Sequence, residues 1–228
     1  MVHVRGTPAS GKTTLARLLC EFYRNKKVPA VIIYTWPHDP YVSSTSTLVR
    51  LARNEGHTSV TPDTLYTDNI VFILDESQAS FNDADLWQGF IKTQSGRGCG
   101  PRLCLFTAYG SPRDGPRYGI GTTPVYFGPQ QRVSISVSNV QFAPSIGLFY
   151  TRCEFDDVLQ RRCNDPCSVL PLESDAKDYI FHLTNGHPGA VDGVLGMVQK
   201  VRPDTQQPRP DFKKSMLIKC IVGASIRS

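Results

Sequence analysis

The stretch Gly6-Thr7-Pro8-Ala9-Ser10-Gly11-Lys12-Thr13 decides the reading of this chain. It fits G-x-x-x-x-G-K-[ST], the phosphate-loop or Walker A pattern. Gly6 and Gly11 permit backbone angles that a Cβ would forbid, so the loop can curl and aim its N–H groups inward at phosphate oxygens. Lys12 supplies a compact positive charge for the β and γ phosphates, and the Thr13 hydroxyl is a ligand for the Mg²⁺ that bridges them. Val2-His3-Val4-Arg5 reads as the strand before the loop. Leu15, Leu18, Leu19 and Phe22 recur at helical spacing after it and predict one apolar helix face. The loop therefore opens onto a helix N-terminus, whose free N–H donors and partial positive charge favour a polyphosphate. Thr7, Pro8, Ala9, Ser10 and Thr14 complete the predicted cradle.

Outward from the loop, the pattern alternates. Ala30 to Thr35 is a continuous apolar run, as expected of a strand buried on both faces of a parallel sheet. A helix is predicted from about Thr45 to Arg53, and a second apolar strand over Ile70 to Leu74. Asp83 to Lys92 reads as helix, with Leu86, Phe90 and Ile91 on one face. Leu103 to Thr107 is a fourth strand, and Arg132 to Ser136 a fifth. Strands alternating with helices predict right-handed βαβ units, a mainly parallel five-stranded sheet and a three-layer α/β/α fold. Beyond about residue 145 the pattern turns helical: Glu154–Arg162, Ser174–Leu183 and Ala190–Val201. The expected organisation is a core over 1–145, a small helical lid over 146–201, and a proline-bearing linker with an incomplete segment over 202–228. The first strand starts almost at residue 1, which leads us to expect a truncated strand and a module of a longer protein.

Composition narrows the class. With 40% hydrophobic and 20% charged residues, 228 residues can bury a sizeable core, which excludes a disordered chain. The net charge of +5 is compatible with a polyanionic partner without requiring one, and no motif points to nucleic acid. Seven scattered cysteines with no C-x-x-C pair argue against zinc and for reduced thiols in an intracellular setting, cytoplasmic or nuclear. No run approaches the ~18 apolar residues of a membrane span. His38, His57 and His182 lack metal-ligand spacing.

Asp75 closes the strand over Ile70–Leu74 and Glu76 follows it, which is the Walker B pattern. There an Asp reaches the Mg²⁺ shell and the adjacent Glu is placed to polarise an attacking water. Thr107 ends the fourth strand; if that strand lies between the strands of the P-loop and of Asp75, its end occupies the sensor position, with Tyr109 and Ser111 as neighbouring alternatives. Arg97, Arg102, Arg113 and Arg117 flank the same strand and are the candidates for an arginine finger on a neighbouring subunit.

The loop at 6–13, the acids at 75–76 and the strand at 103–107 resemble a STAND or AAA-type ATPase domain. Gly186-His187-Pro188 resembles the Gly-x-Pro element of STAND ATPases, and that resemblance places Pro188 near the adenine. Arg5 to Leu15, Asp75-Glu76-Ser77-Gln78 and Thr107 to Ser111 are also similar to the NTPase module of fungal crinkler and retrotransposon-hot-spot-like proteins. These resemblances imply ATP and Mg²⁺ as ligands and a nucleotide-driven switch, with a protein partner or a second copy of the chain as the listener. A non-hydrolysing interaction module is the rival reading. A small-molecule kinase would need an acceptor pocket that the sequence does not display, and the absence of N-K-x-D disfavours GTP.

Overall fold

The computed structural model describes residues 1–37, 39–95, 97–108, 113–119, 121–164, 172–201, 213 and 217. Two compact units emerge, Met1–Leu148 and Phe149–Ser228.

In the first unit, five strands form one parallel sheet: β1 (Val2–Arg5), β2 (Ala30–Ile33), β3 (Val71–Leu74), β4 (Arg102–Thr107) and β5 (Arg132–Val133), in the order β2-β3-β4-β1-β5. β4 thus lies between β1 and β3, pairing Arg5 with Thr107 on one side and Leu74 with Leu105 on the other. Every residue of β3 is buried, which is why it reads as an unbroken apolar run. Side chains alternate between the two faces. Val31, Ile33, Phe72, Leu74, Leu103 and Leu105 join a core with helix α2 (Ser44–Asn54) and a wide π-type helix over Asp85–Ile91. That helix runs into the short α3 (Lys92–Gln94). Helix α1 (Lys12–Asn25) packs along β2, β3 and β4 and completes the third layer.

Three sequence expectations change in detail. The buried residues of α1 are Lys12, Ala16 and Cys20, one helical turn apart, while Leu18 is 57% and Phe22 54% exposed. Small side chains let this helix lie close on the sheet, while Leu15 and Leu19 are half-buried and Leu18 and Phe22 are exposed. Over Asp85–Ile91 the buried set is Leu86, Trp87, Phe90 and Ile91. A wider turn brings i+4 and i+5 onto the same side, which adds Trp87 to the face. The fifth strand is only two residues long, because its pairing with β1 stops at Val133.

The second unit holds α4 (Arg152–Asn164), α5 (Ser174–Thr184) and α6 (Pro188–Val201). Phe155, Leu159, Ala176, Ile180, Val194 and Leu195 build its own apolar core. Among the described residues, no helix is long and apolar enough to cross a membrane.

Candidate nucleotide site

β1 ends where the P-loop begins. The Gly6 N–H donates to the Thr107 carbonyl at 3.1 Å, which ties the loop to the end of β4. A Cβ on Gly6 would stand 2.3 Å from Leu148 Cδ1 and 2.6 Å from Ser10 Oγ, so a larger residue there would have to push both side chains aside. Ala9 (φ 57) and Gly11 (φ 86) take left-handed angles and give the loop its curl. Lys12 is 5% exposed, and its ammonium donates to the carbonyls of Gly6 at 3.0 Å and Thr7 at 2.8 Å. The N-terminus of α1 has no side-chain cap and no acid in its first turn. Ser10 Oγ is buried and without a hydrogen-bond partner. An uncapped helix start, a buried ammonium and an orphaned hydroxyl in one loop fit a polyphosphate. Thr13, half-buried, and Thr14, exposed, sit on the first turn of the helix.

The acids follow β3. Asp75 is 3% exposed, and its N–H donates to the Ile33 carbonyl at 2.8 Å. Its Oδ1 accepts from the Glu76 N–H at 3.1 Å. Glu76 has a left-handed backbone, φ 49, and opens a 3₁₀ turn over Ser77–Ser80. Among the described residues no three His, Cys, Asp or Glu side chains form a metal cage. The donor set nevertheless suits Mg²⁺, which needs few protein oxygens when phosphates share its shell; Thr13 and Asp75 are the residues that would hold it.

Gln78 was not legible as a site residue. Its Nε2 donates to Glu76 Oε2, and its Oε1 accepts from the Ala108 N–H at 3.1 Å. Ser77 Oγ donates to the Phe106 carbonyl at 3.0 Å. Together they fasten the acidic turn to the end of β4. The only signal in the sequence is the polar pair directly after Asp75-Glu76, and the folded strand order is needed to see its use.

Thr107 is placed between the P-loop and acidic strands at the level of its backbone. Its hydroxyl is engaged elsewhere: fully buried, it lies 2.9 Å from His3 Nε2. Tyr109, Ser111 and His38 lie outside the described residues. Of the arginines, Arg102 starts β4 and donates to Asn69 Oδ1 at 2.7 Å, at the sheet end opposite the loop. Arg97 lies over the Tyr66 ring. Arg113 and Arg117 follow β4 and belong to the chain that leaves its loop-side end.

In the second unit, Gly186 (φ 72) passes so close to Tyr150 that a Cβ would stand 2.3 Å from its carbonyl oxygen. His187 Nδ1 accepts from the Ala190 N–H at 3.2 Å, and Pro188 is the first residue of α6, where a missing N–H costs nothing. His57 and His182 join no metal cluster.

No protein-family model and no curated protein sequence matches the chain. Among solved structures, a Lys→Arg variant of RuvB from Thermotoga maritima superposes with a TM-score of 0.50 and 15% identity, over 99% of this chain and 62% of that one. Two further variants of the same protein, Thr→Val and Arg→Ala, give TM-scores of 0.49 and 0.42 at 16% identity, each over 97% of this chain and 61% of theirs. The chain has the P-loop NTPase fold. It spans 62% of the length of the first of these structures.

Proposed function

We propose that the chain is a Mg²⁺-dependent ATP-binding and ATP-hydrolysing module that acts as a nucleotide-driven switch. The observation that carries this reading is the placement of β4 between β1 and β3, so that the P-loop, Asp75 and Glu76 all leave the same end of the sheet. The loop N–H groups and Lys12 bind the phosphates. Bound Mg²⁺, held by Thr13 and Asp75, supplies charge that offsets the β and γ oxygens. Glu76 orients the attacking water, with Gln78 fixing its carboxylate. Thr107 contributes through its carbonyl, which positions Gly6.

The finer likeness to STAND and crinkler-type modules rests on the motifs. It assigns Pro188 to the adenine and implies a larger parent protein, with a partner protein or a second copy responding to the bound nucleotide. Single-turnover phosphate release from Mg²⁺-ATP tests the hydrolytic part. Glu76→Gln keeps ATP bound and slows release by about 10²-fold or more, since a glutamine cannot accept the proton. Equal rates in both proteins would remove Glu76 from the chemistry. One observation favours the non-hydrolysing module as a second reading: the Gln78 amide already occupies an oxygen of Glu76. That reading predicts tight nucleotide binding with no turnover in the wild type.

A further inference from the structure

A cavity of about 160 Å³ opens on the side of β1 that carries His3 and Arg5. Strand register sets Arg132 of β5 beside His3, and period-two alternation brings Arg5 and Ser134 to the same face. Ser138 closes the rim. None of the eight P-loop residues lines this space, and its described lining contains no carboxylate. Arg5 Nε is buried and has no hydrogen-bond partner. Neither Arg5 nor Arg132 joins an ion pair among the described residues.

Such an arrangement is costly in isolation. Two guanidinium groups on one face repel each other, and a desolvated N–H donor without an acceptor loses its bond to water. An anion removes both costs at once. Guanidinium forks match the paired oxygens of phosphate, and serine hydroxyls add donors around a tetrahedral ion. The volume suffices, because a cavity of about 150 Å³ accepts a molecule the size of benzene.

We propose that this cavity is a second anion site, built for a phosphate-sized dianion: inorganic phosphate or the phosphoryl end of a small phosphate ester. It is distinct from the nucleotide cradle but connected to it. His3 bonds Thr107, the Thr107 carbonyl holds the Gly6 N–H, and Arg5 directly precedes the loop. The site stands or falls independently of ATP hydrolysis.

The test is isothermal titration of the full chain carrying Lys12→Ala, which weakens the P-loop as a competing phosphate site. Inorganic phosphate is the probe, with glycerol phosphate as a second arm that separates the free ion from the ester by which binds more tightly. One phosphate site is expected to remain. Adding Arg132→Gln should weaken it by about tenfold or more, as loss of a bidentate charged contact does. Ser138→Asp, at an exposed position, should weaken it similarly by repulsion and guards against a fold defect in the arginine variant. Arg132→Gln alone should leave ATP affinity unchanged. Absence of residual phosphate binding, or an affinity indifferent to both substitutions, would overturn the proposal.

Discussion

Glu76 occupies a left-handed backbone conformation that a glutamate rarely adopts. Such a residue stores about 1–3 kcal/mol of strain and persists only where its surroundings over-determine it. Here the Asp75 carboxylate accepts its N–H and Gln78 takes its side chain. The backbone therefore fixes where the carboxylate points, and Gln78 fixes how. Gln78→Ala should leave Mg²⁺-ATP affinity within about threefold and slow single-turnover hydrolysis by roughly 10–10²-fold, the range for a misplaced catalytic group. A Gln78→Ala protein that turns over at the wild-type rate would make the amide a structural tie only. The P-loop and Asp75-Glu76 were legible because their chemistry is local, held in eight and two consecutive residues. Gln78 was not, since its second partner, Ala108, lies just past the end of β4 and 30 positions away. Thr107 was legible as the end of the intervening strand, but not as a partner of His3, 104 positions earlier.

At the scale of elements, α1 shows why apolar spacing misleads at this site. Its leucines outnumber its small residues, and amphipathic counting follows the leucines. The P-loop fixes where the helix starts and how it points, and Ala16 and Cys20 are then the residues that it buries after Lys12. Ala16→Leu should therefore overpack the layer and destabilise the protein by about 1–3 kcal/mol, whereas Leu18→Ser should change stability by about 0.5 kcal/mol or less. Urea denaturation of the two variants measures both, and the reverse ranking would restore the leucine face as the buried one. The helix over Asp85–Ile91 makes a related point. Asp83 organises its start, accepting from Trp36 Nε1 at 2.8 Å, Ser44 Oγ at 2.9 Å and the Leu86 N–H at 2.8 Å. Trp87 Nε1 donates to Ser80 Oγ at 3.0 Å. These bonds, two of them from residues about 40 or more positions away, hold the wide turn in place, and none of them is encoded in hydrophobic period alone.

Across the molecule, two separate apolar cores carry the two units, and the chemistry assigned to phosphate and metal falls in the first. The strand order could be framed from the sequence only as a condition; tertiary pairing fulfils it, with β4 inserted between β1 and β3. At the middle of that sheet, burial pushes the Cys104 thiol up to about 11 from 9.0. Folding thus favours the neutral thiol. Its contribution is fully present below pH 9 and is lost as pH rises from 9 toward 11, by about 2–3 kcal/mol at 1.36 kcal/mol per unit. Cys104→Ala should flatten the decline in thermal stability over that window, and an unchanged alkaline slope would place the titrating group elsewhere. If residues 6–13 form a nucleotide cradle in a folded P-loop domain, equilibrium titration of a fluorescent ATP analogue with Mg²⁺ must separate wild type from Lys12→Ala, with circular dichroism confirming that both are folded. Wild type is expected to bind, and the variant to lose about 10²-fold or more in affinity, as when a desolvated phosphate contact is removed. Equal affinity in the two folded proteins would contradict the cradle.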